Sequence, residues 1–450
     1  LTPFWASAAY LLALFGFGAK AGLVPMHVWL PEAHPAAPSP VSALMSGVML
    51  KTAIYGLLRV TFDLLNVQLA WWGTLALTLG LLTALYGVIF AAVQSDMKRL
   101  LAWSSIENIG IVLAGFGLSL IFYADGKGAL AALTMTALLY HAINHAFFKG
   151  LLFIGTGSVL HSTGVRHMGA LGGLIRYMPW TAWLTLVGAL AIAGLPPLNG
   201  FVSEWLLLQA FLLSPGLSHH YLNMVIPVAA AAIALASALA AYVMVKFFGV
   251  VFLGQPRAAN LEHAHEAGWP ERLGMIWMAL ACVLLGLFPV QVIVWLEPVV
   301  RLLTSQTMTN AGNWLMLAPI SAERASYAPL IFFAVIAAIT LLVFFVVISL
   351  RMIAGTGVPM EIPSSKTTQS IKSSTVTVGI TKTGETVIDG KPVTQEELKA
   401  KLVELKKQKP VDVVLAGDKD VPLQSLLQVM DAIRGAGISS VGIAAKADKK

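Results

Sequence analysis

Apolar residues run through the first three quarters of the chain in long blocks separated by short polar or turn-forming stretches. A membrane-spanning helix needs about 20 mostly apolar residues. Nine blocks meet that length, at roughly 3–24, 40–60, 69–93, 100–122, 129–160, 180–210, 223–253, 273–298 and 327–350. Several are longer than a bilayer requires, which predicts tilt or interruption. Two carry interruptions in their own sequence. Pro25 and Pro31 follow the first block, and the sixth contains Gly194-Leu195-Pro196-Pro197-Leu198-Asn199-Gly200. Backbone that leaves the helix at membrane depth needs protein or a water-filled cavity around it, so broken helices point to an ion path.

After residue 350 the pattern changes. Short strand-like runs at Thr375–Ile380 and Glu385–Ile388 flank Thr383-Gly384, and Asp389-Gly390 marks a further turn. Thr394 followed by Glu397 is a capping box that opens an amphipathic helix to about Lys407. Val411–Leu415 reads as a buried strand, Pro422–Arg434 as a helix and Ser439–Ala444 as a last strand. The order is β-β-α-β-α-β. The expected fold is therefore an all-α polytopic membrane bundle of nine helices, two of them broken, followed by a small α+β domain. Residues 1–352 form the membrane body, 353–374 a linker rich in Ser, Thr and Lys, and 375–450 the C-terminal domain.

Charge sharpens this division. Charged residues make up 11% of the chain, and those before residue 351 are 14 Lys+Arg and 11 Asp+Glu, against 15 and 11 in the last hundred. All the aromatic residues lie in the first part. Lys98, Arg99, Arg166, Arg176, Arg257 and Arg272 fall in alternate loops and so share one side, and their excess over Arg59, Lys127, Arg301 and Arg324 assigns that side to the cytoplasm. The last helix then leaves the tail cytoplasmic. The single cysteine, Cys282, excludes a disulfide framework and a cysteine-ligated iron–sulfur cluster, and no GxGxxG follows a strand. No cofactor or metal site is expected, nor is nucleic acid a partner, because no basic stripe carries interleaved aromatics.

The remaining chemistry lies in polar residues inside apolar blocks. A charge at a helix centre costs about 2.5–3.5 kcal/mol on insertion scales, so Lys20, Lys51, Glu107, Lys149, Glu204 and Lys246 are expected to be paired, turned inward or close enough to an end to snorkel. Lys51 sits mid-block, and a desolvated lysine can release and rebind a proton near neutral pH. Lys20, beside Gly16, Gly18 and Gly22, is expected to be deep; the alternative is a lysine snorkelling from a helix end. His141, His145 and Lys149 recur every fourth residue and share a helix face. Three readings stand for the histidines: a proton relay, which their titration range suits, helix packing, or metal binding, which lacks a third ligand at suitable spacing. Glu204 follows the second break as a switching carboxylate or as a charge at a helix N-terminus. Asp96, Lys98 and Arg99 read as a solvated turn, Glu107 is ambiguous, and His27 and His34 could line the cytoplasmic end of a path.

These residues together resemble a known family. Gly18-Ala19-Lys20, Pro25-Met26-His27-Val28-Trp29-Leu30-Pro31-Glu32-Ala33-His34 and Pro38-Ser39-Pro40-Val41-Ser42-Ala43-Leu44 are similar to the core signature of the antiporter-like subunits of respiratory complex I, Mrp cation/proton antiporters and membrane-bound hydrogenases. Ala102 to Gly110 and His141 to Leu152 fit it too, and Phe248 to Gly254 is most similar to the hydrogenase-4/formate hydrogenlyase branch. The resemblance implies a proton path in which Lys20 is the pumping lysine, Lys51 the connecting lysine, His141 and His145 the relay and Glu204 the exit carboxylate, with Lys149 on the same face. It implies redox and membrane subunits as partners, protons or monovalent cations as cargo, and a multi-pass protein of a bacterial or archaeal-type inner membrane. It also implies that the family's N-terminal helices, one bearing the glutamate that pairs with the residue matching Lys20, precede the region seen in this chain. The tail, at Val387 to Val393 and Val421 to Gly437, resembles the periplasmic domain of ExbD/TolR biopolymer-transport proteins, although the preceding helix lacks an acidic residue. The expected function is the membrane subunit of a proton- or cation-translocating oxidoreductase of the complex I/hydrogenase-4 type. The alternatives are an Mrp-type antiporter subunit, or an inactive fragment joined to an ExbD/TolR-like binding module.

Overall fold

The computed structural model describes residues 2–65, 69–212, 214, 216–308, 313, 315–319, 326–354, 364–365, 375–381, 384–388, 390–408, 412–417, 421–438, 441–443 and 446–447. Most of the linker, Arg324, Thr383, Asp389, Val411, Ser439 and Ala444, which entered the sequence reading, lie outside them. The chain divides into two compact units, Leu1–Ile336 and Ala337–Lys450.

Among the described residues eight helices are long and apolar enough to cross a membrane. They are α1 (Pro3–Ala21), the composite Ser39–Leu64, α5 (Ala70–Val93), α6 (Met97–Ala124), α7 (Gly128–Thr163), α10 (His220–Phe252), α11 (Trp269–Leu287) and α13 (Pro329–Ala354). The expected sixth block is two short helices, α8 (Pro179–Ile192) and α9 (Asn199–Leu212), separated at the Gly-Leu-Pro-Pro break. Gly194 takes a left-handed φ of 65°, and Gly200 approaches the Ala191 carbonyl so closely that a Cβ would stand 1.9 Å from it. Only glycine fits that contact.

α6 is apolar on all sides apart from a short polar run, as befits a central helix, and its most apolar stretch is wholly buried. Asp96 starts it, accepting from the Lys98 and Arg99 amides. α5 lies against it through Gly73, Gly80 and Gly87, one every seven residues, which meet the backbone of α6. Small residues let the backbones come together, as helix packing in lipid requires. The composite Ser39–Leu64 comprises α3 (Ser39–Leu44), a π turn at Met45–Met49, α4 (Leu50–Leu58) and a second π segment at Arg59–Leu64.

Three expectations change here. α1 ends at Ala21, where Gly22 turns left-handed, and Pro31 does not break a helix but lies in the first turn of a short one, α2 (Trp29–Ala36), where a missing N–H costs little. The expected block 273–298 is cut at Phe288-Pro289 into α11 and α12 (Pro289–Thr304), because Pro289 cannot supply the continuing hydrogen bond. The loops at 94–98, 164–178 and 253–257 meet on one end of the bundle. Asp96 pairs with Arg166 there, and Gly173 N–H donates to Leu253 O at 2.9 Å. Loops grouped by their basic residues thus do share a side.

The C-terminal unit holds a five-stranded sheet in the order β4-β3-β2-β5-β6. Its strands are β2 (Thr375–Ile380), β3 (Thr386–Ile388), β4 (Lys391–Val393), β5 (Asp412–Gly417) and β6 (Val441–Ile443), while β1 (Ser364–Ser365) and β7 (Lys446–Ala447) form a separate parallel pair. Two helices, α14 (Gln395–Gln408) between β4 and β5 and α15 (Leu423–Gly435) between β5 and β6, supply Leu398, Leu402, Val429 and Ile433 to one apolar core, and β2, β5 and β6 run parallel. β4 is an addition to the expected order. Its Pro392 argues against a strand, but β4 is an edge, where proline is tolerated.

Candidate functional site

The π turn before α4 rotates Lys51 toward α7 and leaves the Ser46 carbonyl free to accept from its Nζ. The same Nζ makes a short hydrogen bond with His145 Nδ1. Four residues on, Lys149 is fully buried and donates to Leu101 O of α6 at 2.9 Å. That oxygen also accepts from Ser105 Oγ at 2.9 Å, and Ser105 meets Ser46 at 2.8 Å. Lys51, His145 and Lys149 are thus held in one network through the carbonyls of two helices.

Four residues the other way, His141 Nε2 faces Asn108 Oδ1 at 3.1 Å and its Nδ1 faces Ser203 Oγ at 3.1 Å. Asn108 directs both amide hydrogens elsewhere, to Ser104 O at 2.9 Å and Glu107 Oε2 at 2.5 Å. Its oxygen must therefore face the ring, so His141 donates through Nε2. Nδ1 is left to accept from Ser203 when the ring is neutral. Ser203 has a second acceptor, Gly200 O at 3.1 Å, and receives from Asn144 Nδ2 at 3.1 Å, so its one hydrogen can turn either way. Next to it Glu204 accepts from Ser237 Oγ of α10 at 2.7 Å. The break between α8 and α9 places this carboxylate, with a Cβ on Gly194 only 3.1 Å from Oε2.

The structure therefore brings together Lys51, His145, Lys149, His141 and Glu204. It does not bring in Lys20, which is a correction. The buried side of α1 is Ala6, Tyr10, Leu14, Gly18 and Ala21. Lys20, two residues past Gly18, points the opposite way and is exposed. Gly16, one turn before it, also faces open space, since a Cβ there would meet nothing within 4 Å. Lys246 is also outside the cluster; its ammonium caps the end of α5 by donating to Ala92 O and Gln94 O at 2.7 and 2.9 Å.

His34 is buried and stacks on Phe153 with centroids 4.7 Å apart. Burial, followed by the charges of Lys149, Lys98 and Lys51, pushes its pKa down to about 3, so the ring is neutral. His27 packs among Tyr86 and Trp103. The turn at 96–99 is less solvated than its sequence suggested. Asp96 pairs with Arg166, Arg99 with Glu32 at 2.6 Å, and the buried Lys98 donates to Ala37 O at 2.6 Å. Among the described residues no three His, Cys, Asp or Glu side chains converge as a metal site.

Sequence reasoning missed Ser46, Asn108, Asn144 and Ser203 as members of the network. The run Ser104-Ser105-Ile106-Glu107-Asn108 in a helix otherwise apolar was the available signal for the first part. Two hydrogen-bonded networks, one around Lys51, His145 and Lys149 and one around His141, Asn108, Glu107 and Ser203, lie on successive turns of α7, and such a succession of lysines, histidines and carboxylates suits the movement of protons.

Residues 4–234 match the NADH:quinone oxidoreductase/Mrp antiporter transmembrane family, and residues 331–448 match the ExbD/TolR biopolymer transport protein family. The chain is 44% identical to Hydrogenase-4 component B of Escherichia coli over 290 residues, which is 64% of this chain and 43% of that protein. It is 35% identical to Na(+)/H(+) antiporter subunit A1 of Staphylococcus haemolyticus over 318 residues, 67% of this chain and 38% of that one. It thus spans under half the length of these curated relatives. A subunit of the archaeal membrane-bound sulfane sulfur reductase, a respiratory membrane complex, superposes with a TM-score of 0.61 at 31% identity, covering 80% of this chain and 55% of that one. The eight membrane-length helices, the polar line through them and these matches agree: the chain is a multi-pass membrane protein and belongs to the NADH:quinone oxidoreductase/Mrp antiporter transmembrane family.

Proposed function

We propose that this chain is the proton-conducting membrane subunit of a multi-subunit oxidoreductase of the complex I/hydrogenase-4 type, in which partner subunits carry the electrons. The observation that carries the reading is the contact of Lys51 with His145, two titratable groups on different helices held nose to nose inside the bundle. Protons would move from Lys51 along the His141, His145 and Lys149 face of α7 and leave by Glu204. The likeness to Hydrogenase-4 component B supports the redox-linked form.

The second reading, a subunit of an Mrp-type cation/proton antiporter, draws on the 35% identity to an Na(+)/H(+) antiporter subunit. One experiment serves both. Purified from its native membrane with its partners and placed in vesicles, the complex should acidify or alkalise the lumen when its redox substrate is added. Lys51→Ala should abolish that signal. Sodium-driven pH change without redox turnover would favour the antiporter, and an unchanged signal in Lys51→Ala would end both readings.

A further inference from the structure

Glu107 is 1% exposed, at the middle of the bundle, and the conduction line as described does not use it. Its Oε2 accepts from Asn108 Nδ2 at 2.5 Å and from Ser104 Oγ at 3.5 Å. Both donors are neutral and both belong to its own helix. Among the described residues it has no ion pair. The charged groups that face it are Lys149 from α7 and Glu204 from α9, while α5 presents Gly87, packed on the Glu107 amide nitrogen. A carboxylate in that position costs several kcal/mol to desolvate, and a packing role could be filled by glutamine at far lower cost.

Position matters as much as burial. Lys149 and Glu204 are the two charged side chains that act on Glu107, and it shares Asn108 with His141. Asn108 holds the carboxylate with one end and the His141 N–H with the other. We propose that Glu107 is a second proton-carrying carboxylate, which receives the proton from Lys149 and passes it to Glu204. This rests on the reading of the chain as a proton conductor.

The steps balance. A Lys149 N–H bond breaks and a Glu107 O–H bond forms, leaving a neutral amine and a neutral acid. The Glu107 O–H bond then breaks, an O–H bond forms on Glu204, and Glu107 returns to the anion. Neither partner is in direct contact with Glu107, so water carries each transfer. Asn108 is a positioning residue here, since an amide does not pass the proton on.

The test uses Glu107→Gln and Glu107→Asp in the full chain within its complex. Glutamine keeps the size and an oxygen for Asn108 but carries no proton. Proton flux into vesicles should fall about 10²-fold or more in the glutamine variant, the range general acid–base groups supply, and recover in part with aspartate. Assembly should be unchanged in both. Infrared spectra taken as a pH difference should show a protonated-carboxyl band that Glu107→Gln removes, distinct from the band removed by Glu204→Gln. Full flux in Glu107→Gln, or a spectrum it does not alter, overturns the proposal. If Lys51→Ala stops flux while Glu107→Gln does not, Glu107 alone is misassigned; if Lys51→Ala also conducts, the conductor reading fails first.

Discussion

Gly87 of α5 and Glu107 of α6 are packed so tightly that a Cβ on the glycine would stand 2.5 Å from the glutamate's amide nitrogen. The contact repeats along the pair. Gly80 would meet the Ala114 nitrogen at 2.5 Å, and Gly73 the Gly117 carbonyl oxygen at 2.5 Å. A stripe of small residues at a spacing of seven therefore sets the separation of the two helices and, with it, the position of Glu107.

Gly80→Ala should part the helices, because its obstacle is backbone and cannot rotate away. Overpacking of this kind costs about 1–3 kcal/mol. A lower thermal midpoint for the detergent-solubilised protein would register it. Gly16→Ala, at a site with nothing within 4 Å, is the control that should leave the midpoint in place. Equal midpoints for the two variants would mean that the α5–α6 contact is not tight.

Lys51→Arg separates charge from proton transfer. Arginine keeps the positive charge but does not release a proton in proteins. If Lys51 only balances buried charge, transport should survive the change. If it hands protons to His145, vesicle pumping should fall to the level of Lys51→Ala. The expected result is the second.

How far the sequence anticipated this site depends on what kind of property was asked of it. Spacing along one helix was legible: His141, His145 and Lys149 do share a face, and the Pro196-Pro197 break does deliver Glu204. The C-terminal order was legible apart from β4, whose proline hid it. Properties set by neighbours were not. Lys20 looked deep because apolar residues follow it, yet α1 turns that side away from the bundle. Glu107 looked ambiguous because its burial comes from neighbouring helices, α5 among them, and not from its own apolar sequence. The π turn at Met45–Met49, which aims Lys51, has no proline or glycine pair that announces it.

The capping box of the C-terminal domain gives a pH-dependent prediction. Thr394 N–H and Oγ1 donate to Glu397 Oε2 at 2.9 and 3.0 Å, and Glu397 N–H donates back to Thr394 Oγ1 at 3.3 Å. The Thr394 amide, then its hydroxyl, lower the Glu397 pKa below its usual 4.5. A carboxylate with a depressed folded pKa contributes stability above its unfolded pKa and loses it as pH falls through the folded one. Residues 375–450 expressed alone should show helix and strand signals and a cooperative melt. Glu397→Gln should lower the melting temperature at neutral pH, and the gap to wild type should close below about pH 4.5. A gap that persists in acid would show that the side chain acts through packing instead.

His145→Phe tests the relay most directly, because phenylalanine keeps the apolar bulk and removes the titrating ring. His145 already packs edge-on against Phe148 with centroids 5.3 Å apart, so the pocket suits an aromatic. The change strands Lys51 with Ser46 O as its remaining partner, and a buried donor deprived of an acceptor costs about 1–3 kcal/mol. Assembly should therefore persist at a slightly lower melting temperature while proton flux is lost. His141→Phe should likewise cost stability, since it strands Asn108 Oδ1 while the Ser203 hydroxyl keeps Gly200 O, and should lose flux as well. Three outcomes separate the readings of the histidines. Flux retained in both variants means they pack. A stoichiometric metal ion present in the wild type and lost from both means they ligate. Flux lost in both, with the metal content unchanged and the complex intact, is the expected result, because a proton that leaves Lys51 has His145 as its nearest acceptor side chain and His141 one helical turn beyond.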